Sequence, residues 1–305
     1  MKLPSKLALV LSVAVITSLS VCTNAFATWA PAGSATVHPG IMTFSGAPSF
    51  LSGASQCTAN FVFTDSTGAV YLGQAAHCSE NPNAPAGSSG CDQPMLPLGT
   101  AVYTGNLVNG VINNGTLIGT VAYNSWNAMQ SQSPKETDPN LCAFNDLALI
   151  RINSAEAGSV NPTVPFWGGP TGLAPAVGTA GSTVFGYGNS VLRGGVTLLS
   201  PKTGVNLGDI DGTNGWEQSV YTVTPGLPGD SGSGYMDSSG NALGQLSYLQ
   251  GVPPAGNGVG VLAKELAYAN SVTGAGYQLA TGTTRFSAIP LPPAPGALRR
   301  LRLSR

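Results

Sequence analysis

Leu227-Pro228-Gly229-Asp230-Ser231-Gly232-Ser233-Gly234 is the stretch on which the reading of this chain turns: a serine among glycines, with an aspartate before it and Tyr235-Met236 after it. A nucleophilic serine needs a hydroxyl that stands clear of the backbone. It also needs N–H groups aimed at the oxygen that turns negative when a carbonyl is attacked. Glycine permits the φ/ψ values that aim successive N–H groups one way. Asp-Ser-Gly is equally an ordinary turn, so the choice rests on whether the chain supplies a base and a carboxylate to orient it.

A base candidate lies upstream. Ala59-Asn60-Phe61-Val62-Phe63-Thr64 reads as a strand, Asp65-Ser66-Thr67-Gly68 as a tight turn, and Ala69-Val70-Tyr71-Leu72-Gly73 as the returning strand. This hairpin delivers the chain to Gln74-Ala75-Ala76-His77-Cys78, and His77 is one of only two histidines in 305 residues. By itself such a histidine reads as a structural one. The other, in His38-Pro39-Gly40, has the flanks of a turn and reads as a surface residue. A carboxylate candidate follows in Asn145-Asp146-Leu147-Ala148-Leu149-Ile150, where an aspartate opens an apolar strand. Alone it would be a solvated strand end.

Composition sets the fold class. With 41 glycines, 23 prolines and 8 % charged residues, the chain is poor in helix formers and rich in turn formers. That favours an all-β architecture of many short strands. Further strands are expected at Ala101 to Tyr103, Thr116 to Ala122, Leu147 to Ile152, Ser182 to Gly188, Val196 to Leu199, Ser219 to Val223, Gln245 to Leu249 and Gly258 to Val261. Turns such as Asn113-Asn114-Gly115 and the Gly208 to Gly215 loop separate them, Ser131 to Asn140 reads as solvated loop, and Leu262 to Tyr268 is helix-compatible. Seven of the 12 basic residues sit at the two ends (Lys2 and Lys6; Arg285, Arg299, Arg300, Arg302 and Arg305). The body therefore keeps five basic residues against all 13 acidic ones. An acidic body without a basic cluster excludes nucleic acid as the expected partner.

The N-terminus reads as an export signal, with Lys2 and Lys6 before the apolar Leu7 to Val21 and the small-x-small Ala25-Phe26-Ala27. Cleavage is expected after Ala27, leaving a mature chain with no membrane span and an extracellular location. The tail from Arg285 to Arg305 is Pro-rich, then basic, and is expected to be flexible. The mature chain would keep Cys57, Cys78, Cys91 and Cys142, an even number best read as two disulfides with three possible connectivities. Two histidines and no Cys-x-x-Cys give no expected metal site or cofactor.

Ala75-Ala76-His77-Cys78, Asn145-Asp146 and Gly229-Asp230-Ser231-Gly232 occur in the order His, Asp, Ser. In these motifs and this order the chain resembles the chymotrypsin-like (trypsin-like) serine peptidases of the secreted bacterial type, over about residues 55 to 272. The resemblance implies two packed six-stranded antiparallel β-barrels with a short C-terminal helix, the first over about 36–165 and the second over about 166–272, in a peptidase domain of 28–284. It implies a monomeric serine endopeptidase acting on protein or peptide substrates, with His77, Asp146 and Ser231 as the triad and the N–H groups of Gly229 and Ser231 as the oxyanion hole. It implies a Cys57–Cys78 disulfide, and a substrate pocket at Pro225, Ser247, Leu249 and Gly258. Pro225 stands where a carboxylate would select Lys or Arg, so an apolar or small residue is expected before the cut bond. Asp230, beside the nucleophile, needs a cationic partner, for which Arg193 is the candidate. Departures are Ser233 and Leu249, where the family often has glycine, and the lack of an Ile-Val-Gly-Gly activation sequence. Ser233 supports the competing reading, an inactive relative serving as a binding or adhesion module at the cell surface.

Overall fold

The computed structural model describes residues 28–108, 111–251 and 256–289. The expected signal, 1–27, and the expected tail from 290 on lie outside the described residues. The first half contains β1 (Met42–Ser45), β2 (Gln56–Thr58), β3 (Val62–Thr64), β4 (Val70–Ala75), β5 (Ala101–Val108), β6 (Val111–Asn124) and β7 (Leu147–Ile152). The second contains β8 (Gly172–Leu173), β9 (Thr183–Tyr187), β10 (Pro201–Gly208), β11 (Glu217–Thr222), β12 (Gly234–Met236), β13 (Asn241–Gln250) and β14 (Gly256–Val261). Then β15 (Gln278–Leu279) returns to pair with β3 in the first half.

Both sets form six-membered rings. In the second, the order β12-β9-β10-β11-β14-β13 closes because β12 also pairs with β13. In the first, β4-β7-β6-β5-β1 is antiparallel throughout, β2 joins β1 and β3 joins β4. β2 and β3 are the two ends of one bent run. Its middle bonds both ways, Ala59 N–H donating to Ile41 O (2.9 Å) and Asn60 N–H to Gly73 O (2.8 Å). Counted as one strand, this run completes the first barrel, and the expected pair of six-stranded antiparallel barrels is found.

Side-chain alternation divides the apolar residues among three cores. Val62, Leu72, Ile118 and Ile150 fill the first barrel, and Val184, Val220, Tyr235, Leu246 and Val259 fill the second. The neighbours of opposite parity, Phe61, Phe63, Leu147 and Leu149, point outward instead. They meet Trp167, Phe185 and Met236 of the second barrel and Leu262, Leu266 and Ala269 of helix α3 (Leu262–Thr273). The two barrels are thus joined by a third apolar core, and α3 closes it.

The structure corrects several local expectations. Asn113-Asn114-Gly115 is part of β6 rather than a turn. A Cβ on Gly115 would lie 1.7 Å from Thr104 O, so the glycine serves a close approach to β5. Val196 to Leu199 is not a strand; Thr197–Leu199 is a single 3-10 turn with exposed leucines. Ser131 to Asn140 is not all loop, because helix α1 (Ser125–Ser131) precedes it and helix α2 (Pro139–Phe144) starts within it. Asn124 and Asp138 cap these helices, each accepting two backbone N–H bonds. His38 is half-buried, its Nδ1 2.6 Å from Pro39 O. Nor does the chain leave the body at Arg285: Phe286 packs edge-on against Phe185, and Ser287 N–H donates to Trp167 O (2.8 Å).

Candidate active site

β4 ends in Ala75, and a short 3-10 turn, Ala76–Ser79, carries His77. Asp146 arrives at the start of β7, the strand paired with β4, so the two side chains meet at one end of the sheet. The fit is bidentate. Asp146 Oδ1 accepts the His77 backbone N–H (2.9 Å), and Oδ2 lies 2.8 Å from Nδ1. A carboxylate can only accept, so Nδ1 carries the proton and Nε2 is left with its lone pair. Burial pulls the His77 pKa down, but the Asp146 charge and hydrogen bond, with Glu80 beyond, outweigh it and the net shift is upward. The His77 side chain is 23 % exposed and that of Asp146 only 3 %. The turn bearing Asp146 is pinned by Ala76 N–H to Asp146 O (2.8 Å) and by two donors on Asn145 O, Ser125 Oγ (2.7 Å) and Trp126 Nε1 (2.9 Å).

Ser231 comes from the second barrel, and β2 of the first barrel holds its loop. Gln56 and Thr58 share one face of β2: Gln56 Nε2 and Thr58 Oγ1 each donate to Gly229 O at 2.8 Å. Thr58 N–H donates to Ser231 O (2.8 Å). Cys57 faces the other way, and its disulfide ties β2 to Cys78, the residue after His77. One three-residue strand therefore links the Ser231 loop to the turn that carries His77. Gly232, at φ +84°, completes the approach, since a Cβ there would lie 2.7 Å from both Ala75 N and Thr58 O. Among the described residues no hydrogen bond joins Ser231 Oγ to His77. Gly229, at φ +96°, and Ser231 donate their N–H groups to no acceptor among the described residues.

Asp230 is fully buried and meets two cations. Arg193, the sequence candidate, donates from Nη2 to Oδ2; Lys202, which the sequence reading missed, places Nζ 3.0 Å from the same oxygen. Oδ2 also accepts Leu227 N–H (3.0 Å), and Oδ1 accepts Ser190 N–H (3.0 Å). Lys202 Nζ and Arg193 Nη2 reach on to Pro225 O, at 2.9 and 3.3 Å. Burial lowers the Lys202 pKa, Asp230 raises it, Arg193 lowers it further, and the net shift is downward. The carboxylate thus anchors the loop from Leu227 to Ser231 and the Ser190 turn together.

The four expected pocket residues are placed unevenly. Pro225 is exposed; the buried groups at its level are Gly226 and Asn257, joined by Gly226 N–H to Asn257 Oδ1 (3.2 Å). Leu249, 44 % exposed, covers Gly226: a Cβ on that glycine would lie 2.5 Å from Leu249 Cδ2. Gly258 is buried beneath the Tyr248 ring, and Ser247 Oγ is buried without a partner among the described residues. Ser233 is fully buried two residues after Ser231, its N–H donating to Asp230 O (2.9 Å). The second disulfide joins Cys91 to Cys142 and fastens the loop after His77 to α2.

No protein-family model and no curated protein sequence matches the chain. Solved structures do. Thermobifida fusca protease A is 19 % identical, with 81 % of this chain and 99 % of that chain covered at a TM-score of 0.46. For Nocardiopsis protease the values are 18 %, 80 %, 98 % and 0.43. For Cellulomonas bogoriensis chymotrypsin they are 16 %, 80 %, 98 % and 0.41.

Proposed function

We propose that this protein is a secreted serine endopeptidase that cuts peptide bonds through an acyl-enzyme. The observation that carries the reading is the pairing of a bidentate His77–Asp146 contact with a glycine loop that β2 holds against the strand delivering His77. Ser231 Oγ attacks the peptide carbonyl while His77 Nε2 takes its proton, and Asp146 fixes the tautomer and stabilises the imidazolium. The N–H groups of Gly229 and Ser231 receive the oxyanion, each worth on the order of 3 kcal/mol in a site of this kind. His77 then protonates the leaving amine, and water releases the acyl group.

The Leu249 side chain lying against Gly226 supports a preference for a small side chain before the cut bond, glycine or alanine over leucine or phenylalanine. Export is supported by the signal-like first 27 residues and by two disulfides, which persist in oxidising compartments. Asp230 already holds two internal cations, so no newly cut N-terminal amine is needed to complete the site. The segment after Ala27 is likewise docked, with Ala30 N–H on Val160 O and Gly40 N–H on Ala59 O, both 2.9 Å. The mature chain acts as a monomer on protein or peptide substrates.

The test is hydrolysis of a peptide library by the exported protein. Cleavage after small residues, lost in both Ser231→Ala and His77→Ala, is expected. A profile dominated by Lys or Arg, or activity that survives Ser231→Ala, would contradict the reading.

A further inference from the structure

Helix α3 buries Leu262, Glu265, Leu266 and Ala269, the spacing of one helix face. Three of these are apolar; the fourth is a carboxylic acid with no exposed surface. Its Oε1 accepts the backbone N–H of Asp146 (3.0 Å) and a long contact from Gln245 Nε2 (3.4 Å). The same Gln245 amide donates to Asp146 O, and its Oε1 accepts from Asn60 Nδ2. Both backbone groups of Asp146 are therefore engaged, N–H by Glu265 and C=O by Gln245 together with Ala76. Gly260 leaves space for the acid: a Cβ there would lie 2.6 Å from Glu265 Oε1.

We propose that Glu265 is a positioning residue for the triad, a neutral carboxylic acid that reaches from the C-terminal helix to fix the backbone of Asp146. The inference rests on the peptidase reading of the site. Around Glu265 stand Asp146 from β7, Gln245 from β13, Tyr123 from β6 and the Gly260 backbone of β14, while Tyr268, one turn on in its own helix, turns its hydroxyl to Gln132. None is a cation, and among the described residues Glu265 forms no ion pair. Oε2 is buried without a partner. Ionisation would place a second negative charge beside Asp146 with nothing to balance it, a costly arrangement. Burial accordingly pushes the Glu265 carboxyl up to about 8; the Asp146 charge adds to this, against the hydrogen bonds from Asp146 N–H and Gln245. The neutral acid holds Asp146 in place at neutral pH without altering the charge that His77 meets. Above pH 8 the new anion accepts the Asp146 N–H more strongly, but it sets a second negative charge beside the Asp146 carboxylate and changes the field that His77 meets.

The experiment compares wild type, Glu265→Gln and Glu265→Leu as full exported chains. In wild type, kcat falls by about threefold or more as pH rises through 8, while KM stays level. Glu265→Leu loses about tenfold in kcat at pH 7 with KM within twofold. Glu265→Gln, which keeps an acceptor for the Asp146 N–H, recovers most of that loss and shows no decline near pH 8. A second readout needs no activity and no Leu variant. In Ser231→Ala, the His77 ring resonances shift with an event near pH 8 that is absent from Ser231→Ala/Glu265→Gln. The inference is overturned if Glu265→Gln retains the decline near pH 8, if Glu265→Leu keeps wild-type kcat, or if the His77 titration is the same with Gln at 265. Absence of peptide hydrolysis by wild type would instead overturn the peptidase reading, and the His77 titration would still judge Glu265.

Discussion

Two cations on one buried carboxylate make a quantitative prediction about the loop that holds Ser231. Asp230 Oδ2 faces Lys202 Nζ at 3.0 Å and also takes Arg193 Nη2. At an effective dielectric constant near 20, a contact of that length carries roughly 5 kcal/mol of gross attraction, most of it offset by desolvation. Arg193→Met leaves Lys202 to balance Asp230, and Lys202→Met leaves Arg193; each also relieves repulsion between the two cations. Each single variant should therefore cost only about 1–2 kcal/mol, the value of a charged hydrogen bond less that relief. The double variant leaves a buried, unbalanced carboxylate and should cost about 3–5 kcal/mol in total. Urea unfolding by linear extrapolation, with unchanged m-values, measures all four proteins. The expected coupling is about 1–3 kcal/mol. Because Asp230 also anchors Leu227 and Ser190, the double variant should lose kcat as well as stability. Additivity within about 0.5 kcal/mol, or an Arg193→Met cost equal to that of the double variant, would refute the shared-charge account.

Other outcomes follow from single contacts. Leu249→Gly should uncover Gly226 and raise cleavage after leucine or phenylalanine relative to alanine by about 10- to 100-fold, read from kcat/KM on matched peptides. Thr58→Val removes one of two side-chain donors to Gly229 O and should lower kcat about tenfold, with Tm reduced by only a few degrees. Glu217 is buried; burial first, then Asp211 and Asp209, push its carboxyl up to about 8 against a backbone hydrogen bond from Val259. A carboxyl raised in the folded state stabilises fully below its ordinary range, and that stability is lost as pH rises to 8. Thermal melts of wild type should therefore fall between pH 5 and pH 8, by roughly 3 kcal/mol from this group, and Glu217→Gln should remove that share of the fall and leave the share due to Glu265.

The strands were legible because alternation and turns dominate the sequence: the hairpin around Asp65 to Gly68 and the strand Leu147–Ile152 lie where the pattern predicts them, while the two barrels were implied by the family resemblance alone. His77, Asp146 and Ser231 stood out because short motifs surround them. The residues that hold them did not. Gln56 and Thr58 flank a cysteine in a three-residue strand and look like an ordinary polar face; the distant segments at Gly229 and at Asn189 to Val191 give them partners. Lys202, second in β10, has no motif around it in the sequence, yet it is wholly buried against Asp230. A signal for Glu265 was present: a charged residue inside the apolar stripe of the last helix is unexpected unless something needs it there. Local composition failed where tertiary approach decides, as at Gly115, a glycine kept for the neighbouring strand and not for a turn.

Reaction of the exported protein with a fluorophosphonate probe, followed by mapping of the labelled residue, tests the central claim most directly. One label per chain, on Ser231, lost in His77→Ala and in Ser231→Ala, is the predicted result. An unlabelled protein, or a label on any other serine, would contradict it.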